Sequence, residues 1–325
     1  MLKIGNLKLD VPFFQAPLNG YSDYAMRRLA LDFKVPLTFS GVMLAKSASS
    51  AKMLRNPLFR PQDDEHPVGA QILGNDPAIM AAGAKSLQDA GYDIIDLNFA
   101  CPVPKVLRRG RGGWLMREPE TVIQIYRQVR DAVSCPVTMK LRAGYGKGSE
   151  SYDNYYAIVY EASRLGIDAL TIHGRTVLQR FTGNVDWDIL ADTKRQFPDT
   201  TIIGSGDLFE PVATVERLRT SGLDGLLIAR GAIGNPWIYQ GLHAVLAGEP
   251  IPKPPSLAEQ GQVMTRHFEL ICRFYKPASA VRYFRKFLVR YCRRHPMRKQ
   301  VQQSFLAAKD GTQLLAEIQK WYDSN

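Results

Sequence analysis

The chain has 325 residues, 45% of them hydrophobic and 22% charged, enough for one barrel-sized core of roughly 250 residues plus a smaller appendage. No apolar run approaches the ~20 residues that span a bilayer, and the opening M-L-K-I-G-N-L-K-L-D is too polar for a signal peptide. Four scattered cysteines, Cys101, Cys135, Cys272 and Cys292, form no C-x-x-C pair, which argues against a metal site or a disulfide framework and for reduced thiols in the cytoplasm.

Along the first two-thirds, short apolar runs alternate with helical patterns, the rhythm of βαβ units. Strands are predicted at Phe13–Ala16, Leu37–Ser40, Val68–Leu73, Ile94–Asn98, Val137–Leu141, Ala169–His173, Ile202–Gly204 and Gly225–Ala229. Helical stretches lie between them, at Asp76–Ala90, Glu118–Val133, Asp153–Leu165 and Glu210–Ser221. Asp76-Pro77 and Glu118-Pro119 place a proline in a first helical turn. Tyr145–Glu150 reads as a mobile loop that could close over a substrate. Eight such units predict a (β/α)8 TIM barrel. A doubly wound sheet would want G-x-G-x-x-G after its first strand, where Q-A-P-L-N-G stands.

Trp237–Ala247 is predicted as a closing helix, so the barrel unit spans residues 1–247. The proline-rich G-E-P-I-P-K-P-P marks a linker over 248–256. Residues 257–325 show helical periodicity broken at Lys276-Pro277, His295-Pro296 and Asp310-Gly311, and predict a small all-α bundle. The net charge of +11 concentrates there: Arg266 to Lys299 holds 11 Lys and Arg against one acid, Glu269. Phe274, Tyr275, Tyr283, Phe284, Phe287 and Tyr291 are interleaved with them. Basic residues alternating with aromatics suit phosphate contacts and base stacking, so a polyanion is expected as partner.

In a parallel barrel, chemistry sits at the C-terminal ends of the strands. Asp93–Cys101 (D-I-I-D-L-N-F-A-C) ends a strand with an amide, Asn98, and a thiol, Cys101. That thiol could donate a proton, attack a substrate, bind metal, or be a small inert core residue. The other strand ends carry Ala16-Pro17-Leu18, Gln71, Lys140 with Arg142, His173, Ser205-Gly206-Asp207 and Ala229-Arg230-Gly231. The last two groups are loops of the phosphate-binding kind, and Arg230 adds charge. Gln71, Lys140 and His173 could hydrogen-bond a ring system, with a cation beside N1 and O2 of an isoalloxazine. Together they suggest a flavin.

With these motifs the chain resembles the tRNA-dihydrouridine synthases, most closely the bacterial branch with an A-P-M-x-G start and an H-G-R-T strand end. The matching residues are Ala16-Pro17-Leu18-Asn19-Gly20, Gln71-Ile72-Leu73-Gly74, Asp96-Leu97-Asn98 with Cys101-Pro102, Lys140-Leu141-Arg142, His173-Gly174-Arg175-Thr176, Gly206-Asp207 and Ile228-Ala229-Arg230-Gly231. The resemblance implies an FMN-dependent oxidoreductase with NADPH as reductant and tRNA as substrate. It would reduce the C5=C6 bond of a uridine by hydride transfer from FMN, with Cys101 as proton donor. FMN contacts carry over to Pro17, Leu18, Asn19, Gln71, Lys140, His173, Ser205, Gly206, Asp207, Ala229 and Arg230. Substrate contacts are expected at Asn98, Lys105, Arg142, Arg175, Arg282, Arg285 and Lys286, in a monomer.

The chain departs from the family pattern at Ala100 (usually Gly), Pro104, Leu107, Gly41 (an acid in S-E-M) and Phe287 (R-K-H), departures that bear first on which uridine is chosen. Two other functions fit the residues. One is an FMN oxidoreductase acting on a small molecule, for which the basic tail has no purpose, or on another RNA. The other is an RNA-binding homologue with impaired catalysis.

Overall fold

The computed structural model describes residues 1–50, 53, 56 and 59–323. A short antiparallel hairpin comes first, β1 (Leu2–Ile4) and β2 (Leu7–Leu9), turning at Gly5 with φ of 56°. Leu2, Ile4 and Leu9 are buried, and a Cβ at Gly5 would fall 2.5 Å from the Asp168 carboxylate, so only glycine fits the turn against the foot of the barrel.

The barrel strands are β3 (Phe13–Gln15), β4 (Thr38–Phe39), β6 (Val68–Leu73), β7 (Ile94–Asn98), β8 (Val137–Arg142), β9 (Ala169–His173), β10 (Ile202–Ser205) and β11 (Gly225–Ile228). From β4 onward each pairs in parallel with the next, and β11 pairs with β3. The Gln15 N–H donates to the Leu37 carbonyl at 3.1 Å and closes the ring. β5 (Met43–Leu44) continues the interrupted second strand along β6. The sequence-predicted strands are the eight of the barrel. They were visible because strands wrapped by helices are apolar on both faces; β7 is buried at every residue.

Register decides what meets at the mouth. Asn98 lies beside Lys140, Arg142 beside His173, and His173 beside Ser205. The outer helices follow their sequence signals. Pro77–Asp89 is capped by the Asp76 carboxylate, which accepts from the Ile79 N–H, and Pro119–Ala132 buries Val122, Ile125, Tyr126 and Val129 on one stripe. Trp237–Ala247 stops at Gly248, whose φ of 73° suits the residue past a helix end. The loop read at Tyr145–Glu150 is shorter, because a helix, Ser149–Arg164, begins inside it. What remains is tied down: Gly146 N–H donates to Ser151 Oγ at 3.0 Å, and Tyr145 packs edge-on against Trp114.

Beyond an irregular stretch at 249–256, the tail is four helices, Leu257–Cys272, Pro277–Tyr291, Arg298–Ala307 and Gly311–Tyr322. Of the tail expected to run to residue 325, the last two residues lie outside the described ones. The first tail helix opens with a capping box between Ser256 and Glu259. Its apolar face and that of Pro277–Tyr291 form one continuous core with the helix Tyr24–Asp32 and strands β3 and β11. Phe287 packs against His267 with ring centroids 4.4 Å apart and edge-on against Tyr21. A second core fills the other half of the barrel under Pro77–Asp89, Pro119–Ala132 and Ser149–Arg164.

Candidate active site

A cavity of about 340 Å³ opens at the C-terminal mouth of the barrel. Every residue expected to hold the cofactor lines it. Pro17, Leu18 and Asn19 follow β3, Gln71 stands in β6, Lys140 in β8 and His173 at the end of β9. Ser205, Gly206 and Asp207 close β10, and Ala229 and Arg230 follow β11. Cys101, Asn98 and Arg142 line the same space.

The loop bearing Cys101 is held from several sides. Asn98 Oδ1 accepts from the Ala100 and Cys101 N–H groups at 3.1 and 3.0 Å. The Gly113 N–H donates to the Cys101 carbonyl at 3.0 Å, and a Cβ at Gly112 (φ 59°) would come within 2.9 Å of the Cys101 Cβ. Arg142 donates from Nε to the Ala100 carbonyl at 3.0 Å and from Nη1 to the carbonyls of Thr176 and Arg180. Behind Asn98, its Nδ2 donates to Gln71 Oε1, and Gln71 Nε2 donates to Asp96 Oδ2, each at 2.6 Å. Thr138 Oγ1 donates to Asp96 Oδ1, also at 2.6 Å. Burial pushes the Cys101 thiol above its usual range, with a backbone hydrogen bond at Val103 and the charge of Arg142 pulling weakly the other way.

The opposite wall is cationic. Lys140 is pulled down to about 8, first by burial and then by Arg142, while Asp96 opposes this. Burial, followed by the charges of Lys140, Arg142, Arg175 and Arg230, drives His173 far below the usual imidazole range, so the ring is neutral. Its Nδ1 is buried and has no hydrogen-bond partner among the described residues. Gly206 has φ of 132° and Asp207 φ of 49°, a turn that exposes backbone toward the cavity. Arg230 donates to Asp207 Oδ1 at 2.8 Å, and its guanidinium lies 4.9 Å from the centroid of the Phe181 ring. An orphaned imidazole nitrogen, an ammonium, and a glycine turn beside an arginine together match the ring heteroatoms and phosphate of flavin mononucleotide. The residues fit that group.

Not all expected substrate residues reach the cavity. Arg175 is turned inward: 3% exposed, it donates to the Asp207 carboxylate and to the carbonyls of Thr182 and Gly183. It does not line the cavity; its guanidinium holds the β10 turn. Arg285 donates from Nη2 to the Ala308 carbonyl within the tail and does not line the cavity. Lys286 bonds the Gly20 carbonyl and sits over the Tyr283 ring, at the seam between tail and barrel. Lys105, on the short helix Pro104–Leu107, and Arg282 are exposed and remain free to meet a polyanion. Phe287, one of the departures from the family pattern, is fully buried.

Among the mouth residues not singled out as site residues from the sequence are Arg290, Phe181 and Phe209. Arg290 reaches the cavity from the tail, and Phe181 and Phe209 stand exposed beside Arg230. Arg290 was one of many basic residues there, and periodicity does not say which of them faces the barrel. A phenylalanine in a polar loop, as in R-F-T-G-N, was the available signal for Phe181.

Comparison with known proteins agrees with this geometry. A model of the family "Dihydrouridine synthase (Dus)" matches residues 14–324. The chain is 34% identical over 325 residues to tRNA-dihydrouridine synthase B of Proteus vulgaris, covering 99% of each. It is 32% identical over 325 residues to tRNA-dihydrouridine synthase B of Escherichia coli (strain K12), again covering 99% of each. Among solved structures, histamine dehydrogenase from Rhizobium sp. 4-9 superposes with a TM-score of 0.59 at 16% identity, over 83% of this chain and 50% of that one. Morphinone reductase does so at 0.53 and 12% identity, over 78% and 90%. At such identities the likeness is one of fold.

Proposed function

The chain belongs to the dihydrouridine synthase family, and from that premise we propose that it reduces the C5=C6 bond of particular uridines in tRNA, with Cys101 as proton donor. The observation that carries this is the meeting, in one cavity, of the Cys101 thiol with Asn98, Lys140 and His173. FMN, held by Pro17, Leu18, Asn19, Gln71, Lys140, His173, Ser205, Gly206, Asp207, Ala229 and Arg230, would supply the hydride for C6, with NADPH as reductant.

The chain's own work is to orient the base and deliver a proton. A thiol raised by burial stays protonated at neutral pH and is available to C5; the thiolate left behind is stabilised by the Arg142 charge until solvent reprotonates it. Arg142 keeps Nη2 for the uracil edge, since its Nε and Nη1 are taken. Asn98 has one remaining amide N–H for base or cofactor. Drawing a uridine out of its stack costs a few kcal/mol, and phosphate contacts from exposed Lys105, Arg282 and their basic neighbours offset it. Arg175 holds the Asp207 turn that lines the cavity, and Arg285 and Lys286 share the helix Pro277–Tyr291 with Arg282. In this reading the barrel over 1–247 does the chemistry, 248–256 connects, and 257–325 grips the RNA, in a cytoplasmic monomer. Among the described residues no helix is long and apolar enough to cross a membrane, and no cluster suits a metal ion.

Nucleoside mass spectrometry tests the proposal. Protein, NADPH and tRNA from a strain lacking dihydrouridine are incubated, with Cys101→Ala as control. A nucleoside about two mass units above uridine, made by the wild type and not by the variant, is expected. Equal product from both would remove Cys101 from the reaction, and none from the wild type would remove the function.

A further inference from the structure

Asp96 is an acid buried in the middle of β7, 4% exposed and not among the residues lining the cavity. It begins a chain of side chains that ends at the thiol loop: Thr138 and Gln71 bond its two oxygens, Gln71 bonds Asn98, and Asn98 bonds the N–H groups of Ala100 and Cys101. We propose that Asp96 is a positioning residue for the reaction, setting through Gln71 and Asn98 the direction of the hydrogen bonds that hold the backbone at Cys101. The proposal rests on the reading of Cys101 as proton donor.

The direction of the chain follows from its ends. Backbone N–H groups can only donate, so Asn98 must turn its carbonyl oxygen toward Cys101 and its NH2 toward Gln71. Gln71 must then offer Oε1 to Asn98 and its NH2 to residue 96. The group at 96 must therefore accept on the Gln71 side, as a carboxylate oxygen does. On the other side it meets the Thr138 hydroxyl, which can donate or accept. An apolar side chain at 96 would leave the Gln71 amide unpaired in the interior, free to turn over and reverse every bond as far as Cys101. The sheet register suits this arrangement, since Gln71 pairs with Asp96 across β6 and β7, and Asp96 with Thr138 across β7 and β8.

This logic yields a cycle of near-isosteric substitutions. In Asp96→Asn the new amide can face Gln71 with its oxygen and Thr138 with its NH2, because the hydroxyl can accept, so the direction survives. In Thr138→Val the carboxylate still accepts from Gln71. In the double variant the amide NH2 has no acceptor except Gln71 Oε1, and taking it reverses the chain. Two quantities are measured. One is the rate of Cys101 alkylation by iodoacetamide in flavin-free protein, separated by peptide mass spectrometry from Cys135, Cys272 and Cys292. The other is kcat and KM for tRNA.

Each single variant is expected within about threefold of wild type. The double variant should alkylate faster at Cys101 and lose about tenfold more kcat than the product of the singles, with KM little changed. Multiplicative effects in both readouts would overturn the proposal, as would Asp96→Asn alone behaving like the double. Non-additive alkylation alongside a wild type that makes no dihydrouridine would uphold the chain and overturn the functional reading instead.

Discussion

Lys140 shows how much of this site is set by the surroundings of single residues. Its side chain is held by β8 in a half-buried position on the cavity wall, where desolvation and the neighbouring Arg142 bring it to about 8. If it is a cationic partner of bound FMN, the protonated form binds better. FMN affinity of the flavin-free protein should then weaken as pH rises through about 8, read by flavin fluorescence quenching, and Lys140→Met should bind weakly with no such inflection. Cys101 is the complementary case. Its thiol stays protonated past the usual thiol range, so Cys101→Ala should keep FMN binding while losing roughly 10²–10⁴ of turnover, the span of general acid catalysis. The candidate chemistry was legible in the sequence because polar residues ending apolar strands have few structural uses. Arg175 marks the limit. A strand-end arginine reads the same whether it faces the mouth or turns to hold the next loop, and only the Asp207 carboxylate beside it in space decides.

Among the elements, the long and fully buried ones were visible and the short ones were not. β6 and β8, six residues each and bounded by turn residues, stand out in any reading. The three-residue strands of the N-terminal hairpin and the two-residue β5 carry too few residues to show a period, and exist because neighbouring strands pair with them. The helix Tyr24–Asp32 carries an element-scale prediction. Its N-cap, Asp23, accepts from the Met26 N–H, yet burial pushes its carboxyl up to about 6 from an ordinary 3.8. Between these values the folded protein holds a proton that the unfolded chain gives up, so stability falls as pH rises across that window, by about 3 kcal/mol in all. Asp23→Asn keeps the cap, since asparagine caps as well as aspartate, and has no such titration. The difference in Tm between variant and wild type should therefore grow in the variant's favour from pH 4 to 7 and level off above. A constant difference would refute this.

At the scale of the whole molecule, a tail segment rich in Lys and Arg flanks a cavity rich in cations, which suits a polyanion held at many phosphates. With about six such contacts, tRNA affinity should fall roughly 10³-fold between 50 and 200 mM salt, and Arg282→Glu should lower the log–log slope by about 1 at little cost to stability. Filter binding over a salt series checks both. Phe287→Ala should do the reverse, costing about 3–5 kcal/mol of stability while leaving the salt slope alone, because the ring is wholly inside. That buried seam has a bearing on how such proteins can be recombined. Arg273 donates to the Tyr24 hydroxyl, Lys286 to the Gly20 carbonyl, and Phe287 lies on Tyr21. A chimera cut in the proline-rich stretch at 249–256 would therefore set a foreign tail against a surface shaped for this one. The transplantable unit includes the segment from Gly20 through Asp32, far upstream in the chain. Drift in RNA preference without such a transplant is open only to outward residues such as Arg282 and Arg293, which can change while the seam stays as it is.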